Sequence, residues 1–380
     1  MNNDSRLVYS LPTSLSFDNY LEVEKEINGL LKDHSYKEIE LDASRTNYIS
    51  SAGLRVILSL FKSGHKVFVT ETSTVVFDIF EMTGFTNFIT VERAFRKVSI
   101  EGCKCIGKGA HGTVYSLAPD TIVKVYSEST SLEDIKNERE LSKKAFVLGL
   151  PTAIALDVVK VNNQFGTIFE LLDATSCVSY VNESQKNTDD FVDKAVSLLK
   201  KIHSVEITDN SLPDMKEKMF DYLEKIKSLV DEKEYQKLEE VVKSVPQTNT
   251  LLHGDFHLKN QLMCHNELML IDMDTLCIGD PILEFVPMFN AYYGYGIADK
   301  SVVTAFLGIS NEKAEYILRE ITKRYYSDLN EQDFLETTKK ARILGLIRAV
   351  HFCNKRHYEQ SVIDQFLNEL RSLLTDWFFN

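Results

Sequence analysis

The segment His253-Gly254-Asp255-Phe256-His257-Leu258-Lys259-Asn260 is followed by Asp272, which closes the apolar run Leu268-Met269-Leu270-Ile271. These residue types form an oxygen-rich set. Asp255 is suited to act as a base, while Asn260 supplies a neutral oxygen and Asp272 a charged one, donors that a hard cation such as Mg²⁺ prefers. A phosphoryl group in transfer spreads negative charge over its oxygens, so the reaction calls for positioning, a base and metal ligands more than for covalent chemistry. The same Asp and Asn spacing also occurs in ordinary Asx turns.

Far upstream, Gly107-Lys108-Gly109-Ala110-His111-Gly112-Thr113-Val114 satisfies the Gly-x-Gly-x-x-Gly-x-Val pattern of a loop that covers nucleotide phosphates. Glycines at 107, 109 and 112 let backbone amides approach phosphate oxygens. Strand-like runs, Ser99 to Ile106 and Thr113 to Leu117, flank the pattern and no helix opens directly after it. A hairpin loop therefore fits better than a dinucleotide-binding turn. The alternating run Thr121 to Tyr126 carries one lysine, Lys124, placed to grip α and β phosphates or else to face solvent. From Ser131 to Leu148 the spacing predicts a helix whose inner face holds Leu132, Ile135, Leu141, Ser142, Ala145 and Phe146. Glu138 shares that face and is the expected partner of Lys124, with a helix-surface ion pair as the alternative.

Together these residues resemble the protein-kinase-like superfamily, and within it the aminoglycoside phosphotransferases and choline kinase-like small-molecule kinases. The resemblance runs from about Val98 to the C-terminus. It implies an α+β two-lobed fold that closes on ATP and Mg²⁺, with an N-terminal lobe over residues 96–173 and a mainly helical lobe over 174–380. It implies nucleotide-binding roles for Gly107, Gly109, Gly112, Lys124 and Glu138, a catalytic role for Asp255, and metal ligation by Asn260 and Asp272. The run Thr167 to Leu172 is similar to the lobe hinge, whose backbone at Glu170 and Leu172 would receive adenine. His253 is expected to brace the loop and His257 to lie near the phosphates. Asp272 is followed by Met273 and Asp274, and Gly279-Asp280-Pro281 arrive soon after, which leaves no room for the activation segment of a protein kinase. That departure favours a small-molecule hydroxyl acceptor. Predicted helices Phe191 to Val205 and Met215 to Val242 would frame its pocket, with His203 a packed core histidine.

The N-terminal part reads differently. Strand Ile39 to Asp42, loop Ala43 to Ser50, helix Ser51 to Phe61, strand Lys66 to Thr70 and helix Val75 to Gly84 alternate in an α/β order. The sequence Thr46-Asn47-Tyr48-Ile49-Ser50-Ser51-Ala52-Gly53-Leu54 resembles the STAS domain of bacterial anti-sigma-factor antagonists, which places a STAS-like domain at residues 1–95. The resemblance implies a protein partner and a phosphorylatable serine at Ser51, where a phosphate would meet the helix dipole and free amides. The alternative is that Ser51 only caps the helix. Two departures stand out: Ser50 occupies a place where many STAS domains have Asp, and a single strand near Leu7 to Ser10 precedes the helix Phe17 to Leu31.

A chain of 380 residues is long enough for these domains, and the polar run Arg93 to Lys97 is expected either to connect them or to end a helix. The net charge of −13 excludes a typical nucleic-acid binder. It is compatible with a cationic acceptor such as an aminoglycoside or amino alcohol. No apolar run reaches the ~18 residues of a membrane span and the opening residues lack a signal core, so a cytoplasmic protein is expected. Six cysteines without a Cys-x-x-Cys pair suit a reducing compartment. Three functions fit: a small-molecule kinase, a protein kinase in a partner-switching system that involves Ser51, and a nucleotide-sensing binding protein.

Overall fold

The computed structural model describes residues 6–33, 36–109, 112–209 and 211–375. It divides into two compact units, one running through Ser99 and taking in Val159–Asn163, the other holding the remainder.

In the first unit, strands Arg6–Ser10, Glu38–Asp42, Lys66–Thr72 and Thr90–Arg93 lie side by side in chain order, all parallel. The register sets Leu7 beside Ile39, Ile39 beside Val67, and Leu41 beside Val69, so alternate residues enter one apolar core. Parallel neighbours need crossovers, which helices Tyr20–Asp33, Ser51–Lys62 and Thr74–Met82 supply. A second short strand, Ser14–Leu15, pairs with Tyr48–Ile49 and was not expected from the sequence. Its approach explains Gly53, where an added Cβ would sit 2.6 Å from the Leu15 carbonyl oxygen. The helix cap is Ser50, whose Oγ accepts from the Gly53 N–H at 3.3 Å. Ser51 is thus the first helical residue, exposed, and not the cap. The basic run is neither coil nor helix throughout, since Arg96–Lys97 forms a strand parallel to Val159 and Lys160.

In the second unit, Cys105–Lys108, Gly112–Ala118, Thr121–Tyr126 and Gln164–Glu170 lie in one sheet, with Thr121–Tyr126 antiparallel to both Gly112–Ala118 and Gln164–Glu170. The first of these strands begins later than the Ser99 predicted. Gly102, at φ +75°, and a turn bond from the Cys103 N–H to the Ile100 carbonyl hold the preceding residues out of the sheet. Helix Leu132–Val147 starts at Ser131, whose hydroxyl accepts from the Asp134 N–H, and buries Ile135, Glu138, Leu141, Ser142 and Ala145. Phe146, assigned inward from spacing, is 48% exposed.

The remaining helices enclose a large apolar core. The expected helix Met215 to Val242 is two helices, Met215–Ile226 and Glu232–Lys243. A capping box at Asp231, with Glu234 reaching back to the Asp231 N–H, starts the second. The helix predicted from Phe191 begins earlier, at Gln185, where the Ser184 hydroxyl accepts from the Asn187 N–H. Among the described residues no helix is long and apolar enough to cross a membrane.

Candidate functional site

Short antiparallel strands Leu251–Leu252 and Cys277–Ile278 pair with each other and clamp both ends of the segment between them. The loop leaves the first strand through Gly254, at φ +80°, where an added Cβ would lie 2.3 Å from the Thr275 carbonyl oxygen. Only glycine satisfies both conditions. Beneath the turn lies Glu284, fully buried, whose carboxylate accepts from the His253 N–H at 2.7 Å and the Gly254 N–H at 2.9 Å. The Tyr292 hydroxyl accepts from the Leu258 N–H at 2.8 Å, and the Thr275 hydroxyl donates to the His253 carbonyl at 2.8 Å. His203 packs behind this floor, Nδ1 2.7 Å from the Tyr325 hydroxyl and Nε2 3.7 Å from Glu284.

His253 is fully buried, which holds its imidazole below the ordinary value against the pull of Glu284 and Asp255. Its Nδ1 accepts from the Asp255 N–H at 3.3 Å. That fixes the proton on Nε2, which faces the Ile271 carbonyl at 3.3 Å. Burial alone would raise the Asp255 carboxyl, but the His257 hydrogen bond and the charges of His257 and Arg348 prevail and bring it down to about 2. His257 Nε2 is 3.2 Å from Asp255 Oδ2. Asn260 Nδ2 donates to the backbone carbonyl of Asp255 at 3.0 Å and to its Oδ2 at 3.2 Å. Both amide hydrogens of Asn260 are thereby engaged and its oxygen is turned away from Asp255.

Asp272 follows the hairpin Gln261–Cys264 and Glu267–Leu270 in a left-handed conformation, φ 59° and ψ 68°. Such backbone is uncommon outside glycine and re-aims the side chain. Lys124 Nζ lies 2.8 Å from both Asp272 Oδ1 and Glu138 Oε1. Burial would lower the lysine, but the two carboxylates overcome it and hold the ammonium form. Glu138 is buried, which raises its carboxyl against the pull of Lys124. The oxygens left by these contacts, on Asn260 and Asp272, suit a hard cation. Among the described residues no cluster of three or more His, Cys, Asp or Glu offers a softer metal site.

The three glycines of the upstream loop divide by role. At Gly112 an added Cβ would lie 2.3 Å from the Val125 carbonyl oxygen, so close strand pairing demands glycine. At Gly107 and Gly109 nothing lies nearer than 3.8 Å and 4.0 Å. Ala110 and His111 lie outside the described residues. At the end of strand Gln164–Glu170 the N–H groups of Glu170 and Leu171 donate to the carbonyls of Ile154 and Asp120 at 3.1 and 2.8 Å. Leu172 is partly buried just beyond.

Sequence reading missed Glu284 and Arg348. The first had a faint signal, a lone acid in the apolar run Pro281 to Val286. The second, in helix Glu331–Lys355, had none.

The phosphotransferase enzyme family model matches residues 102–316, and the STAS domain model matches residues 2–98. Among solved structures, the GDP complex of a mutant aminoglycoside 2′-phosphotransferase-IIIa is 13% identical, with a TM-score of 0.50 over 80% of this chain and 98% of that one. A choline/ethanolamine kinase family protein from Mesorhizobium loti is 11% identical, with a TM-score of 0.47 over 72% of this chain and 87% of that one. The streptomycin–ATP complex of an aminoglycoside phosphotransferase of the (2″)-IIa type is 18% identical, with a TM-score of 0.46 over 71% and 90%. No curated protein matches the chain.

Proposed function

We propose that this chain, which belongs to the phosphotransferase enzyme family, transfers the γ-phosphoryl group of ATP to a hydroxyl of a small molecule, under the influence of its STAS domain. The observation that carries this reading is Lys124, 2.8 Å from both Glu138 and Asp272. It ties the strand after the glycine loop to the segment that follows Asp255. In the reaction the acceptor hydroxyl oxygen forms a bond to the γ phosphorus as the bond from that phosphorus to the β-bridging oxygen breaks, releasing ADP.

Asp255 orients the hydroxyl and takes its proton. With a carboxyl near 2 it is a weak base, so the proton moves late, once the oxygen is bonding to phosphorus. Lys124 exchanges part of its hold on Asp272 for the α and β phosphates. Asn260 and Asp272 would hold Mg²⁺, which neutralises phosphate charge when bound. Gly107 and Gly109 leave room for phosphates, and the Glu170 carbonyl and Leu172 N–H receive adenine. The brevity of the stretch from Asp272 to Pro281 favours a small acceptor over a peptide. The sequence resemblance points to aminoglycosides or amino alcohols as acceptors.

A second reading rests on Ser51. Because Ser50 is the cap, the exposed Ser51 hydroxyl is open to modification, and its phosphorylation would alter partner binding by the STAS domain. Mass spectrometry of the chain after incubation with Mg·ATP tests this; an unmodified Ser51 in every condition removes it.

The leading reading is tested by Mg²⁺-dependent ADP release over a panel of hydroxylated acceptors, with Asp255→Asn protein in parallel. Stimulation that vanishes in the variant is expected. Release that no acceptor stimulates, or that the variant retains, overturns the proposal.

A further inference from the structure

Helix Glu331–Lys355 packs against helices Met215–Ile226 and Phe285–Tyr292. Its last turns carry Arg348, His351 and Phe352. His351 stacks on Tyr222, ring centroids 4.8 Å apart at 18°. The Arg348 guanidinium lies 4.9 Å above the Phe352 ring and donates to the Tyr295 hydroxyl at 3.0 Å. A chain of contacts returns from there to the catalytic loop. Tyr295 meets Phe306 edge-on at 6.3 Å, Phe306 meets His257 at 5.1 Å, and His257 Nε2 is 3.2 Å from Asp255. The Lys259 ammonium sits 5.2 Å above the same Phe306.

Arg348 differs from the other partly buried arginines. Arg342 pairs with Glu369, Arg324 with Asp193 and Glu320, and Arg139 with Glu140. Arg348 forms no ion pair among the described residues, and its Tyr295 contact is its only hydrogen bond among them. A guanidinium has five donors in a planar fork that matches an oxyanion in two places at once. Withdrawing such a group from water costs free energy unless a counter-charge arrives. The exposed Asp221, next to Tyr222 on its helix, makes no ion pair with it. The charges of Arg348 and Asp255 act on each other, and the contacts through Tyr295, Phe306 and His257 join the two groups. Aromatic faces with the cations Arg348 and Lys259 suit a ring or chain that ends in negative charge.

Resting on the kinase reading above, we infer that the acceptor is a hydroxylated compound bearing a carboxylate or phosphate, which Arg348 binds bidentately while the hydroxyl faces Asp255. The acidity of the whole chain, −13, is therefore not a guide to the charge of its substrate.

Inorganic sulfate serves as the oxyanion probe, with Mg²⁺ and a non-hydrolysable ATP analogue filling the nucleotide site of the full chain. Calorimetry is expected to show sulfate binding that weakens on the order of 10- to 100-fold in Arg348→Met, the worth of charge-assisted hydrogen bonds. Arg348→Lys should retain part of it, and the volume-conserving Tyr295→Phe should lose part. Analogue affinity in each variant reports that the protein is folded. In turnover, hydroxy acids or sugar phosphates should stimulate ADP release, and which of them does so separates carboxylate from phosphate. The KM for that acceptor should rise in Arg348→Met more than kcat falls.

Equal sulfate binding by wild type and Arg348→Met overturns the inference. So does stimulation by aminoglycosides or amino alcohols but by no oxyanion acceptor. A uniform loss of kcat at unchanged KM overturns it as well, and would make Arg348 only a counter-charge to Asp255. Failure of the kinase reading looks different: no analogue binding and no acceptor-dependent release in any class.

Discussion

Asp255 is held by three neighbours with distinct tasks. Its carboxylate is fixed by Asn260 and His257, and its backbone N–H is tied to His253. Replacing it with asparagine keeps the shape but removes the base, so kcat should fall by roughly 10²- to 10⁴-fold with nucleotide affinity retained; an undiminished rate would assign the proton to another group. Its carboxyl is lowered from 3.8 to about 2. A lowered acid binds fewer protons in the folded chain than in the unfolded one. The stability it contributes is therefore complete above pH 3.8 and is lost as pH falls through 2. Removing the hydrogen bond with His257→Leu should move that loss to higher pH, which acid denaturation followed by circular dichroism would detect; an unchanged acid midpoint would contradict the assignment. The sequence displayed Asp255, Asn260, Asp272 and Lys124 because spacing alone groups them. Glu284 and Arg348 stayed hidden because only the folded chain brings a 3₁₀ turn under the loop and a late helix beside it.

Local elements divide into those whose signals agree and those where two signals compete. Strand Thr121–Tyr126 alternates cleanly and has the bounds expected. The break between Met215–Ile226 and Glu232–Lys243 was hidden because Leu229 and Val230 continue the apolar rhythm across it, while the Asp231 capping box ends the helix locally. Asp231→Ala should cost about 1 kcal/mol of stability, read as a lowered midpoint in urea; no change would mean that packing alone sets the boundary. The glycine loop allows a sharper contrast. Gly112→Ala forces a Cβ into the Val125 carbonyl and should destabilise by about 1–3 kcal/mol. Gly109→Ala meets only the Gly112 carbonyl oxygen, at an ordinary contact distance of 4.0 Å, and should leave stability nearly unchanged while raising the KM for ATP. Equal thermal destabilisation in both would contradict this division of roles.

At the scale of the molecule, a STAS domain and a phosphotransferase domain each own an apolar core, and no residue is shared between the two cores. The alternating β and α order of the first and the motif spacing of the second made both recognisable in the sequence. Pocket chemistry was not, because it is assembled from helices far apart in the chain. A nucleotide that binds only the folded second domain should stabilise it by about 2.7 kcal/mol at a hundredfold excess over Kd, seen as an upward shift of the unfolding transition of that domain and not of the other. Transfer to a small molecule is tested by following the γ-phosphoryl group itself, with ATP labelled in that position, Mg²⁺ and the acceptor that best stimulates ADP release. The label should appear on the small molecule with wild-type protein and not with Asp255→Asn. Label recovered only as ATP, as inorganic phosphate or on the protein would contradict the account.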